Sequence, residues 1–243
     1  MIEAGYILLT LFMSIIVLYI FKYALKKIGK DSKTTSKNVT YLALGLIIWL
    51  VYVYLISMSG LLENFSLPPR FPIFVIFPLF IFTGIVLYKN RNSMIFTVIP
   101  ESWAIYLQTF RIFVELLFVA TVGIGFLHPE VTIEGYNYDM VFAFTAPIIG
   151  YLVFNSKKLN RKVALLWNYI GLAVLASIIA LFVTTIFIPS LWGSQTSLAP
   201  IAIVKFPYLL VAGFLMPLAV FVHVFSIIQL SRTNNTKNKS PEF

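Results

Sequence analysis

The chain has 243 residues, 60% hydrophobic and 11% charged, with a mean hydropathy of +0.92. A soluble domain carries roughly 25% charged residues, so this sequence lacks the polar groups to coat a water-facing globule, and lipid is its natural solvent. The net charge of +9 does not indicate nucleic acid, because the charges fall in short segments between apolar runs; the absence of cysteine excludes disulfides, thiolate metal sites and cysteine nucleophiles.

A bilayer-spanning helix needs about 20 predominantly apolar residues. The first such run, 4–25, follows a leader that carries Glu3 and no basic residue, and its lysines come after it, from Lys22 onward. No A-x-A-like site follows, which predicts a retained helix with an exported N-terminus rather than a cleaved signal peptide. Further runs at 40–62, 71–89, 102–127, 138–155, 163–188 and 204–230 complete an all-α, polytopic bundle of seven helices, a single domain over 1–230. Residues 231–243 read as a polar, disordered cytoplasmic tail. The third and fifth runs are short, and Pro78, Pro147 and Pro217 lie within the third, fifth and seventh. Membrane helices tolerate such prolines as kinks where neighbours satisfy the freed carbonyl, and the sharper reading is a hinge.

The loops assign an orientation. Fifteen of the 18 basic residues, including Lys26, Lys33, Lys89, Lys158, Arg161 and Arg232, lie in the first, third and fifth loops and the tail. The other side has only Arg70 and Lys205, with Glu3, Glu63, Glu130 and Glu134. By the positive-inside rule the N-terminus is outside and the C-terminus cytoplasmic. Aromatic residues such as Tyr19, Tyr41, Trp103, Tyr151 and Trp192 stand near the expected interfaces.

Ionisable groups inside a membrane cost about 2.5–3.5 kcal/mol each at a helix centre, and the fourth run contains Arg111 and Glu115, with Gln108 one turn earlier. At ~100° per residue these three share one face. Arg111 and Glu115, spaced i,i+4, are placed to pair. Arg111 lies about 13 Å beyond Ser102 and His223 about 12 Å from the inner end of the seventh run. With Asn168 near the second turn of the sixth, Gln108, Arg111, Asn168 and His223 form a polar layer in the cytoplasmic half, Glu115 slightly deeper. The layer reads either as a structural network fixing helix register or as a site for a small polar or anionic ligand, or a proton relay through Glu115 and His223.

A second cluster, His128, Glu130, Glu134, Asn137 and Asp139, lies between the fourth and fifth runs; Asp139 and Glu134 make it a secondary outer site, although the spacing matches no metal motif. Other chemistries fail on inventory. No lysine lies deep enough for a retinal Schiff base. The two histidines are on opposite sides, which excludes bis-histidine haem, and three-histidine zinc sites lack ligands. Trp192-Gly193-Ser194 does not fit G-x-S-x-G. No cofactor and no metal are implied.

From the fourth run onward, Trp103, Gln108, Arg111 and Glu115 are followed by Gly135, Asp139, Ala146-Pro147, Trp167-Asn168-Tyr169-Ile170-Gly171-Leu172, Phe206-Pro207, Pro217 and His223. This series resembles a widespread family of small uncharacterised bacterial seven-helix inner-membrane proteins, over about residues 100–231. The resemblance implies a bacterial cytoplasmic membrane and supports this choice of residues; it implies no activity. The partners expected are the lipid bilayer and a small polar solute or lipid. The leading expectation is a small-solute transporter or proton-coupled permease. A ligand or lipid sensor acting through a partner, an intramembrane lipid-modifying enzyme with Glu115 and His223 as acid and base, and a non-catalytic assembly subunit remain open.

Overall fold

The computed structural model describes residues 1–66, 68–127, 129, 132, 135–193 and 201–237. Among them every regular element is helical. The helices are α1 (Ile2–Lys27), α2 (Ser32–Met58), α3 (Pro72–Asn90), the short α4 (Ile95–Val98), α5 (Glu101–Leu107), α6 (Phe110–Gly123), α7 (Asp139–Asn155), α8 (Arg161–Phe187) and α9 (Met216–Lys237), the last entered through a wide turn at Val211–Leu215. Six helical stretches are long and apolar enough to cross a membrane: α1, α2, α3, α5 continued by α6, α8, and Val211–Arg232. The fifth expected span is shorter, the apolar Asp139–Asn155.

Apolar side chains cover the outside as well as the inside. Leu8, Phe12 and Ile15 on α1, Ile47 and Ile48 on α2, and Ile81 and Phe82 on α3 are all exposed. Helices that are apolar all round bury their outer faces in lipid, so the chain is a multi-pass membrane protein. Consecutive long helices run up and down. At one end Tyr23 packs on Trp103, Arg161 pairs with Glu101, and Arg232 bonds the Ser93 carbonyl; this is the lysine-rich end. At the opposite end Ser57 bonds the Val204 carbonyl, Lys205 meets Glu63 and Phe126 packs on Tyr208. The central element is α9, which packs on α3, α4, α5 and α8.

Three boundaries differ from the hydropathy reading for identifiable reasons. The second helix begins at Ser32, well before residue 40, because the Asp31 side chain accepts the Thr34 N–H at 2.8 Å and caps it. Hydropathy is blind to that polar first turn. The same bonds hold the Asp31 carboxyl below its ordinary value. The fourth span is broken: Gln108 and Thr109 close i→i+3 bonds onto the Ile105 and Tyr106 carbonyls, both at 3.1 Å, separating α5 from α6. And α9 runs on to Lys237, past the expected end of its span.

Proline shapes two spans. Pro78 and Pro217 have no N–H to offer the carbonyls four residues earlier, those of Phe74 and Gly213. Each is preceded by a wide helical turn, Pro72–Ile76 and Val211–Leu215. Both freed carbonyls are taken up by α2: the Tyr52 hydroxyl donates to Phe74 at 2.8 Å, and the Trp49 indole N–H donates to Gly213 at 2.7 Å. A polar group stranded in lipid costs several kcal/mol, so these side chains make the breaks tenable.

Candidate functional site

The site begins at the break in the fourth span. Arg111 follows it directly, at the second position of α6, and is 1% exposed. A guanidinium cannot shed its charge, so burial demands a partner. That partner is Asp139. Arg111 Nε donates to Asp139 Oδ2 at 3.0 Å and Nη2 pairs with Oδ1, a two-pronged bond. The third prong, Nη1, lies 3.0 Å from His223 Nε2, and Phe142 lies under the guanidinium with its ring centroid 5.3 Å away.

The arrangement fixes the histidine. A guanidinium only donates, so His223 Nε2 accepts and carries no proton. The ring proton is therefore on Nδ1, which donates to Asn168 Oδ1 at 2.9 Å. The Asn168 amide nitrogen in turn donates to the Ala164 carbonyl at 2.7 Å and Ser226 Oγ at 3.0 Å. Trp167, held by Thr145, stacks on Phe142 and packs against His223. Gly171 provides the room for this: a Cβ there would lie 2.3 Å from His223 Cε1.

Glu115 joins from the other side. Its two oxygens accept the Asn137 amide at 3.0 and 3.2 Å, while Asn137 Oδ1 accepts the Asp139 backbone N–H at 3.0 Å. Gln108 sits lower, donating to the Ala219 carbonyl at 3.0 Å and so tying the helix break to α9. Gln108, Asn137, Asn168, Ser226 and His223 are fully buried, and Glu115 and Asp139 nearly so.

The structure thus brings together Arg111, His223 and Asn168 by direct bonds, and Glu115 through Asn137. It corrects two expectations. Arg111 pairs with Asp139 and not with Glu115, its neighbour at i+4. Asp139 accordingly belongs to the main site and not to a separate outer cluster. The cause is the short α7: its 12-residue α-helical part and the 5-residue wide turn that ends it reach about 25 Å, less than the ~30 Å hydrocarbon core. Its first residue therefore lies inside the bundle, beside α6. Of the remaining outer cluster, His128, Glu130 and Glu134 lie outside the described residues. Asn137 and Ser226 are members that sequence reasoning did not select; an Asn-x-Asp pair opening an undersized span is the signal for the first.

A cavity of 110 Å³ opens beside this network. Arg111, Glu115 and Asp139 form its polar end, and Phe118, Leu175 and Ile178 are among its apolar walls. Tyr6 and Thr121, bonded to each other at 2.8 Å, add hydroxyls further along. Gln108, Asn168 and His223 do not line it. Both nitrogens of His223 are already engaged, and of the described charged groups lining the space Glu115 is the one not held in a direct ion pair. No protein-family model, curated protein or solved structure matches the chain.

Proposed function

We propose that the chain is a ligand-binding protein of the bacterial cytoplasmic membrane, with seven spans, an external N-terminus and a cytoplasmic C-terminus. Its site is the Glu115 end of the cavity. The observation that carries this reading is a charge count. The buried cluster holds one guanidinium, two carboxylates and a neutral imidazole. Arg111 is bonded directly to Asp139 and His223, whereas Glu115 accepts the Asn137 amide and feels the Arg111 charge only through space. A buried carboxylate without a direct ion pair is costly, and a ligand that brings a proton, an ammonium or a hydroxyl offsets that cost. This favours a donor-bearing or cationic ligand over an anionic solute, since among the described residues the one cationic group lining the cavity is Arg111, already bonded to Asp139 and His223. The enzymatic reading with Glu115 and His223 as an acid–base pair is less favoured, because Arg111 stands between them and both imidazole nitrogens are occupied.

Thermal stabilisation in detergent tests the reading. Ethanolamine, choline or an alkali cation should raise the melting temperature of the wild type and leave Glu115→Gln unmoved, while acetate and phosphate should affect neither. Stabilisation by the anions alone would reverse the assignment. Transport of the same ligand is a second reading. It is favoured by the broken fourth span and the two proline breaks, since helices interrupted near a central site are what transporters use; uptake into proteoliposomes tests it.

A further inference from the structure

The cavity is not closed on all sides by helix. Both α3 and α8 pack on α9. Between them, in the half of the bundle away from the lysine-rich end, runs an apolar groove lined by Pro69, Ile76 and Phe77 on one side and Ile179, Val183 and Phe187 on the other. Ile76, Ile179, Val183 and Phe187 also line the cavity, so groove and cavity are one continuous space. The groove faces the bilayer: Phe77 and Val183, on its two rims, are exposed on spans whose outer surfaces lie in lipid. Hydrocarbon chains are the medium there.

We infer that the cavity takes its ligand sideways from the membrane, and that this ligand is a lipid whose apolar chain lies in the α3/α8 groove and whose amine or hydroxyl reaches Glu115. The inference rests on the reading of Glu115 given above and adds the ligand class and the route. Three features support it together. The walls from the groove to Phe118 and Leu175 are hydrocarbon and aromatic, suited to a chain and not to a hydrated solute. The charged groups are confined to one end, as an amphiphile requires, and the Tyr6 and Thr121 hydroxyls further along are bonded to each other. The cavity is small: an apolar cavity of about 150 Å³ accommodates benzene, so 110 Å³ admits only part of a lipid, whose remainder lies in the bilayer-facing groove.

The test is photo-crosslinking of the full chain in phosphatidylethanolamine vesicles containing an analogue with a diazirine on the acyl chain. Labelled peptides should include Phe118 or Leu175, which are buried and beyond the reach of surrounding bilayer lipid. Val183→Trp and, separately, Ile179→Trp should fill the groove and reduce that labelling at least tenfold. Labelling confined to lipid-facing positions such as Ile81, Phe82 and Ile170 overturns the inference. If ethanolamine stabilises the wild type while Phe118 and Leu175 stay unlabelled, the lipid route fails and the Glu115 site stands. If those residues are labelled but no donor-bearing probe stabilises the protein, the route stands and the Glu115 reading falls.

Discussion

Trp49 on α2 donates its indole N–H to the carbonyl of Gly213, 2.7 Å away, and that carbonyl is the one Pro217 leaves without a helical donor. The pairing makes a specific prediction about coupling. In the wild type, Trp49→Phe strands a buried carbonyl and should cost about 1–3 kcal/mol. In a Pro217→Ala background the helix can supply its own N–H, so the same change should cost much less, leaving an interaction energy of about 1 kcal/mol or more. The measurement is a double-mutant cycle on thermal or denaturant stability in detergent. Additive costs would show that Trp49 acts only through packing. Tyr52→Phe with Pro78→Ala, one helical turn away on α2, should behave in the same way.

His223 is predicted to be a neutral, Nδ1-protonated imidazole in the folded protein. Imidazole ¹⁵N spectra of selectively labelled protein should show a protonated Nδ1 and an unprotonated Nε2, and the reverse pattern would break the derived bonding chain. His223→Phe removes the acceptor for Arg111 and the donor for Asn168, so it should destabilise by about 1–3 kcal/mol for each buried group left unpaired. Gly171→Ala should also destabilise, by about 1–3 kcal/mol, because its methyl would displace the same ring.

The six long spans were legible in the sequence because apolar length is a direct consequence of bilayer thickness. The burial of Gln108, Arg111, Glu115, Asn168 and His223 was legible because charge and polarity inside lipid are rare and expensive. Pairing was not. Helical spacing suggests that Arg111 meets Glu115, and only the short reach of α7 brings Asp139 to it from the outer mouth of the fifth run. The break at Gln108 and Thr109 was equally hidden, since their tightened i→i+3 bonds leave no hydropathy signature. The prolines were visible but their remedy was not: nothing local in the sequence links Trp49 to Gly213 or Tyr52 to Phe74.

The proposed orientation predicts which loops an impermeant reagent reaches. Cysteines introduced at Ser36, Ser156 and Ser231, all toward the lysine-rich end, should resist an impermeant maleimide on intact cells and label after lysis. A cysteine at Ser66, at the opposite end, should label in both. Ser194 is expected to behave like Ser66, although it lies outside the described residues. Labelling of Ser156 with protection of Ser66 would invert the topology.

The ion pair gives the sharpest division between structure and function. Arg111 and Asp139 neutralise each other, so Arg111→Ala and Asp139→Ala each leave a buried charge without its partner, a loss of about 3–5 kcal/mol. Replacing both at once, Arg111→Met with Asp139→Leu, removes the charges together, keeps apolar volume, and should recover most of that loss. Glu115→Gln should lie within about 1 kcal/mol of the wild type, because the amide keeps the shape and can still meet Asn137. The ranking of melting temperatures decides the pairing. If Glu115→Ala is as damaging as Arg111→Ala while Asp139→Ala is mild, then Arg111 pairs along its own helix and the geometry described above is wrong. Ligand response separates the roles further. Glu115→Gln should be well folded yet deaf to ethanolamine, whereas the Arg111→Met/Asp139→Leu protein should keep part of the response, because its Glu115 is intact. A folded Glu115→Gln protein that ethanolamine stabilises as strongly as the wild type would remove Glu115 from the site and leave the network a structural one.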